Sequence, residues 1–356
     1  MKALVLAGGL GSRLRPFSYS MPKQLVPVAN RPVLLHCLDR LREVGITDVA
    51  IVVSSERGQA IRDAVGDGSQ HGLRLTYLSQ EAPLGLAHCV QLAADFLGDD
   101  DFLMYLGDNI FASGLGELAE TFRRDRPAVQ LVVTKVPDPS EYGVAEVDPD
   151  GRVDRLVEKP KNPTSDLAVI GVYFFTAAIH EATRRIQPSA RGELEITDAI
   201  QWLVAGGADV RAAIYTGYWR DTGRIDDMLE CNRVLLESTE HRLLGEVDAA
   251  SEVCGPVAIE PGARVVRSRI VGPAVVGADS VVVDSYIGPY TALGRGCVLA
   301  GAGIEYSIVL DRVSVRDVRG IHGSLIGRSA EVCLSDGDLA RHRLVIGDDT
   351  RVEVVA

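Results

Sequence analysis

The residues best equipped for chemistry cluster near the start of the chain. Gly8, Gly9 and Gly11 follow an apolar run, Ala3 to Leu6, and are followed in turn by Arg13, Arg15 and Lys23. A strand that runs into glycines exposes backbone N–H groups with no side chain in the way, and such donors surround an anion or a ribose. The spacing GGxGxR differs from the dinucleotide signature, in which GxGxxG opens an apolar helix and an acidic residue follows about 20 positions on. Nor is it a Walker A loop, since no GK[ST] follows. Arginine forks two phosphate oxygens and lysine acts as a mobile point charge, so this combination suits a triphosphate. The competing reading is a surface loop with incidental charges, and it weighs most on Arg15.

The elements that must position these residues alternate in type up to about residue 240. Apolar strand-like runs fall at 3–7, 49–54, 74–79, 101–107, 129–136 and 170–176, and amphipathic stretches at 31–44, 57–65, 85–97, 114–124, 177–186 and 195–205. This is the pattern of an α/β domain with a mostly parallel sheet. Leu4, Val5 and Leu6 form a continuous apolar run, as a strand covered on both faces requires. Pro32 opens the 31–44 helix, on which Leu34, Leu35, Leu38 and Leu41 fall at helical spacing. A further helical stretch at 223–240 reads as a connector.

Beyond residue 245 helical periodicity stops. Aliphatic–glycine pairs recur, at Val271-Gly272, Val276-Gly277, Ile287-Gly288 and Leu293-Gly294, and IVGP at 270–273 is echoed 16 residues later by YIGP at 286–289. Short strands, each with one inward aliphatic side chain and a glycine at the turn, suit a left-handed parallel β-helix of hexapeptide-like repeats. Ile326-Gly327 and Ile346-Gly347 extend the pattern, and an ordinary β-sandwich is the competing reading. The expected division is a catalytic domain over 1–240 and a β-helix over 245–356.

Composition narrows the classes. The chain has 356 residues, 46% apolar and 24% charged, which is ordinary for a globular protein. A formal charge of −12 argues against a nucleic-acid binder, which needs a basic face, but not against a phosphorylated small substrate. There is no apolar run long enough for a membrane span and no signal-peptide pattern. Six scattered cysteines without a CxxC pair read as packed, reduced thiols of a cytoplasmic protein.

Taken together, LAGGLGSRLRP (6–16), PKQLVPV (22–28), LGDN (106–109), EYGVAEVD (141–148), EKP (158–160), GVYFF (171–175), RGELEITDAI (191–200) and YWRDTG (218–223) resemble the sugar-1-phosphate nucleotidylyltransferases in order and spacing. The resemblance covers residues 1–240. It implies a Rossmann-like, GT-A-like catalytic domain in which a sugar-1-phosphate oxygen attacks the α-phosphorus of a nucleoside triphosphate and pyrophosphate leaves. No protein nucleophile is needed, so positioning and charge neutralisation supply the catalysis.

The roles that follow are those the resemblance implies. Leu6, Ala7, Gly8, Gly9, Gly11 and Gln24 would line the nucleotide. Arg13 would bind the triphosphate tail and Lys23 would neutralise the reacting phosphates. Lys159 and Arg191 would hold the sugar phosphate. The Gly143 backbone and the Glu158 carboxylate would meet sugar hydroxyls, with Val169 and Tyr173 lining the pocket. Gln80 and Gly85 would face the base, where the chain has Leu84 in place of the acidic residue that shorter members often carry. Asp108, after the strand FLMYLG, and Asp221 would hold Mg²⁺, which takes one or two carboxylates plus phosphate oxygens and water. A lone aspartate after a strand is otherwise a cap or turn residue. Glu193 reads as a sugar contact, with a helix-start residue as the competing reading, and Glu195 to Asp198 as a first helical turn. Asp227 and Asp99 to Asp101 read as solvated surface charges.

The implied partners are dTTP or UTP and glucose 1-phosphate, in a homo-oligomer. Two other readings stand beside this one. A catalytically silent, nucleotide-sugar-binding regulatory subunit would have lost the reactive groups, whereas Arg13, Lys23, Asp108, Lys159 and Asp221 are all present. Acyl transfer by the β-helix would need a histidine base, and neither His322 nor His342 has a setting that assigns it. His36, on the first helix, reads as structural.

Overall fold

The computed structural model describes residues 1–335, 344–348 and 350–355. Contacts group the chain into two compact units. One comprises Met1–Gly9 with Leu34–Trp219, and the other Leu10–Val33 with Arg220–Ala356.

The first unit is built on a nine-stranded sheet. Its main path runs Val153–Glu158, Gly143–Val147, Leu167–Phe175, Phe102–Leu106, Lys2–Leu6, Asp48–Ser54, Arg74–Gln80. The last four strands of this path are mutually parallel. Lys2–Leu6 lies in their midst, and its apolar residues are buried, as a continuous apolar run demands. Leu167–Phe175 runs antiparallel to Phe102–Leu106 and to Val129–Lys135, and Val129–Lys135 pairs in parallel with Val210–Ile214. The strands at 143–147, 153–158 and 210–214 were not among the expected apolar runs.

Two helix expectations are corrected. The helix expected at 31–44 begins at Val33, because Pro32 belongs to a two-residue strand, Arg31–Pro32, paired with Pro27–Val28. The stretch at 85–97 forms two short helices, Leu86–Leu92 and Ala94–Leu97, broken at Ala93. No helix among the described residues is long and apolar enough to cross a membrane.

In the second unit, three sheets of short parallel strands wind a left-handed β-helix. Ile270, Ile287, Ile304 and Ile321 stack every 17 residues into one buried column, and Val276, Leu293, Val309 and Ile326 form another. The apparent 16-residue echo of IVGP in YIGP is therefore one residue out of register. Ile270 lies on Ile287, and the coil between Leu293 and Val309 is a residue shorter, as is that between Leu243 and Ile259. Ile326 pairs with Ile346 as the next coil of the column.

Inside one corner the hydroxyls of Ser251, Ser268 and Ser285 each accept the N–H of the residue one coil up, at 3.0–3.1 Å. This ladder satisfies amides that the turn would otherwise bury unpaired. All six cysteines are free thiols, and burial pushes those of Cys89 and Cys297 up to about 12, as inert packing groups.

Candidate functional site

Several expected sugar-phosphate residues of the first unit meet around one carboxylate. Glu158 ends its strand, and Lys159 follows in a left-handed conformation (φ 42°), its N–H bonded to Tyr142 O at 2.9 Å. Lys159 Nζ stands 3.9 Å from Glu158 Oε1, and Arg191 Nη1 stands 3.4 Å from the same oxygen. Thr197 Oγ1 donates to Glu158 Oε2 at 3.2 Å. Gly143 closes the side: a Cβ there would come 2.8 Å from Thr197 Cγ2 and 3.4 Å from Glu158 Oε2, with Val169 next in line at 3.8 Å.

Burial raises the Glu158 pKa and Glu195 adds to the rise, against Lys159, Thr197 and Arg191. Tyr173 is buried beneath, and burial, then Glu158, push its phenol far up. Glu195, expected only to begin a helix, is its N-cap residue, but it is also a buried carboxylate. It accepts from Ser189 Oγ at 2.9 Å and faces Arg191 Nη1 at 3.4 Å. Arg191 also reaches Glu193, at 3.5 Å.

At the C-terminal ends of the parallel strands, where open α/β sheets place ligands, Gly8 lies beside Gln80. A Cβ on Gly8 would come 3.4 Å from Gln80 Oε1, while Gln80 Nε2 stands 3.0 Å from His88 Nδ1. His88 sits one helical turn after Gly85 and gave no sequence signal of its own. Leu6 and Ala7 are buried in the strand end, and Gly9 is exposed.

Gly85 takes φ 100°, and the place a Cβ would fill is 2.4 Å from Leu194 O. Leu194 clasps this turn from both sides, its N–H bonded to Leu84 O at 2.8 Å and its O to Ala87 N–H at 3.0 Å. A glycine is thus needed there for backbone packing. Asp108 follows Phe102–Leu106, and its Oδ1 accepts from Asn109 Nδ2 at 3.0 Å. Asn109 Oδ1 accepts from Trp219 Nε1 at 2.7 Å. Neither Asn109 nor Trp219 was singled out from the sequence.

The second unit carries the remaining candidates. Arg13 lies exposed in the short turn Ser12–Leu14. Arg15 stacks on Tyr19, its guanidinium 4.9 Å from the ring. Lys23 packs beneath Gly11, where a Cβ would come 3.1 Å from Lys23 Cβ. Gln24 is buried, and its Oε1 has no hydrogen-bond partner among the described residues.

Asp221 is half-buried next to the buried Thr222. Asp227, expected on the surface, is also half-buried. Burial raises its pKa against the pull of Arg220, 3.6 Å away, and of Arg13. His322 is exposed and stacks on Tyr306, with ring centroids 5.5 Å apart. His36 is half-buried on its helix, and His342 lies outside the described residues.

A family profile described as nucleotidyl transferase matches residues 2–238. The chain is 53% identical to a glucose-1-phosphate thymidylyltransferase of Streptomyces antibioticus and 51% identical to one of Streptomyces griseus, in each case over 99% of both chains. A Bacillus anthracis structure, assigned as a glucose-1-phosphate thymidylyltransferase and complexed with sucrose, superposes with a TM-score of 0.62 at 33% identity, covering 66% of this chain and 94% of that one. With the profile spanning most of the sequence and full-length relatives above half identity, the chain belongs to the nucleotidyl transferase family.

Proposed function

We propose that the chain is a glucose-1-phosphate thymidylyltransferase. A phosphate oxygen of glucose 1-phosphate bonds to the α-phosphorus of dTTP as the bond from that phosphorus to the β-phosphate bridge breaks, giving dTDP-glucose and pyrophosphate. The observation that carries this reading is the Glu158 cluster: a partly buried carboxylate flanked by two cations, Lys159 and Arg191, and walled by a glycine. The carboxylate suits sugar hydroxyls and the cations suit a phosphate, so together they hold both ends of a sugar phosphate.

The other residues take roles by their chemistry. Gly8 and Gly9 offer backbone N–H groups at the strand end, and Gln80 offers an amide to the base edge. Arg13 and Lys23 neutralise the triphosphate, and the buried Gln24 Oε1 is an acceptor available to a ligand donor. Lys159 and Arg191 hold the attacking phosphate against its charge repulsion from the nucleotide.

Asp108 and Asp221 fit a magnesium ion by donor type. Both are hard oxygen donors, and no group of three or more His, Cys, Asp or Glu among the described residues is arranged to hold a metal. A cation held by one or two carboxylates completes its shell with phosphate oxygens and water, as Mg²⁺ does. Bound there, Mg²⁺ would neutralise charge on the reacting phosphates.

The test is pyrophosphate release by the purified full-length chain with MgCl₂, across dTTP, UTP, ATP, CTP and GTP against several sugar 1-phosphates. The fastest pair should be dTTP with glucose 1-phosphate. Faster turnover with UTP would make the chain a uridylyltransferase, and silence with every pair would leave a nucleotide-sugar-binding subunit. Asp108→Asn and Asp221→Asn should each lower turnover by about 10²-fold or more.

A further inference from the structure

The segment Leu10–Val33, which carries Arg13, Lys23 and Gln24, groups by contact with the β-helix. It is tied there at two places. The first is a hairpin tip. Pro27–Val28 pairs with Arg31–Pro32, and the two residues between them, Ala29 and Asn30, are both left-handed (φ 50° and 59°). A tight hairpin needs that geometry, but a residue with a Cβ adopts it at a cost. The tip is held from outside. Ala29 N–H donates to Asn232 Oδ1 at 2.9 Å, Asn232 Nδ2 donates to Tyr290 O at 2.9 Å, and Asn30 Nδ2 donates to Leu293 O at 2.6 Å. Asn232 is buried, and Ala29 and Tyr290 pack on Leu236, Ala258 and Val275.

The second tie is at residues 16–20. Ser20 Oγ donates to Asp348 Oδ2 at 2.7 Å. Asp348 is itself fixed by Arg328, whose backbone N–H and Nη2 each donate to it at 2.8 Å. Gly347 faces Pro16, where a Cβ would come 3.3 Å from the proline ring. Lys23 and Gln24 therefore lie between two attachments to the coil, and Arg13 lies just before the one at residues 16–20.

We infer that Asn232 and Asp348 are positioning residues for the nucleotide side of the reaction, through which the β-helix sets the place of Arg13, Lys23 and Gln24. This rests on the reading of Arg13 and Lys23 as triphosphate ligands and of Gln24 as a nucleotide contact. It goes beyond that reading in giving the β-helix a part in catalysis. A preorganised cation is worth more than one that must be ordered when the ligand arrives. Loss of a tie should therefore act on the triphosphate and not on glucose 1-phosphate, whose expected ligands lie in the other unit.

Two full-length variants test this. Asn232→Ala removes both bonds of the central amide. Asn30→Gly removes the bond to Leu293 while keeping a residue at ease in the left-handed region, so it retains the fold should Asn232→Ala fail to. Each should raise the KM for dTTP about fivefold or more, with the KM for glucose 1-phosphate within about twofold. Trypsin should cut faster after Arg13 and Lys23 in the absence of nucleotide. An Asn30→Gly protein with wild-type KM for dTTP and wild-type cleavage overturns the inference, as does an equal rise in both KM values. A wild-type chain without pyrophosphate release defeats the functional reading instead, and the trypsin comparison still decides whether the ties hold the loop.

Discussion

The Arg191 guanidinium stands 3.4 Å from the Glu158 carboxylate, and it also faces Glu193 at 3.5 Å and Glu195 at 3.4 Å. One planar cation thus faces three acids, and an arriving phosphate competes for donors already engaged. Lysine would offer a single point charge in place of the fork. Arg191→Lys should therefore raise the KM for glucose 1-phosphate about tenfold and leave that for dTTP unchanged. Steady-state kinetics in both substrates decides this, and an unaltered glucose 1-phosphate KM would remove Arg191 from the sugar-phosphate site.

Glu158 makes a prediction about stability. Burial and Glu195 outweigh its cationic neighbours and raise its pKa above 4.5, so the folded state keeps this proton to a higher pH than the unfolded chain does. The unfolded state then binds fewer protons, and stability falls as pH rises from 4.5 through the folded-state value, with the cost constant above that. Glu158→Gln cannot pay this penalty. Relative to wild type it should gain melting temperature across that window and hold the gain at neutral pH, while losing glucose 1-phosphate affinity. Melting curves of both proteins against pH check it, and a difference that does not change with pH would contradict the assigned shift.

The buried strands were legible because both faces are apolar. Leu4, Val5 and Leu6, or Phe102 to Tyr105, can be read without partners. The strands carrying Gly143 and Glu158 were not, since VDRLVE exposes one face and mixes charge with aliphatic residues. The motifs named Glu158, Lys159 and Arg191, but Glu195 and His88 became visible only through the side-chain contacts the folded backbone allows, to Ser189 and Arg191 and to Gln80. The same holds for the loop at 10–33: nothing local ties Ala29 to Asn232, which is two hundred residues away. The serines at 251, 268 and 285 are the opposite case. Their 17-residue spacing stands in the sequence and gives the true coil length, which the glycine echo misjudged by one.

That ladder carries a stability prediction. Ser285 Oγ accepts the Ala302 N–H at 3.0 Å and donates to Val283 O at 2.7 Å inside the coil. Ser285→Ala leaves a buried amide without its acceptor, which costs about 1–3 kcal/mol. Denaturant unfolding of the full chain should show the loss, with the activity of the folded fraction unchanged. An equally stable variant would mean that the amide finds another partner.

Gly85→Ala should be costlier, because it combines a left-handed backbone with a Cβ 2.4 Å from Leu194 O. Neither backbone can yield without breaking the two bonds that clasp the turn. A loss of about 2–4 kcal/mol follows, with activity falling as Gln80 and His88 lose their support. A wild-type melting temperature would show that the turn relaxes freely.

The path from Trp219 through Asn109 to Asp108 lends itself to a measurement that does not need turnover. A side-chain amide has one acceptor and one donor end, and the indole N–H takes the acceptor at 2.7 Å. The donor end is thereby directed at Asp108 Oδ1, 3.0 Å away. Gly171 leaves room for this amide, since a Cβ there would come 3.0 Å from Asn109 Oδ1. Trp219→Phe keeps an aromatic ring but frees the amide to turn over, so Asp108 loses the neighbour that orients it. If Asp108 holds the metal, Mn²⁺ titrated into the variant and followed by electron paramagnetic resonance should bind about tenfold more weakly, the usual cost of losing such a supporting bond. Asn109→Ala should weaken it at least as much. Equal Mn²⁺ affinity in all three proteins would show that the amide path does not orient Asp108 for metal.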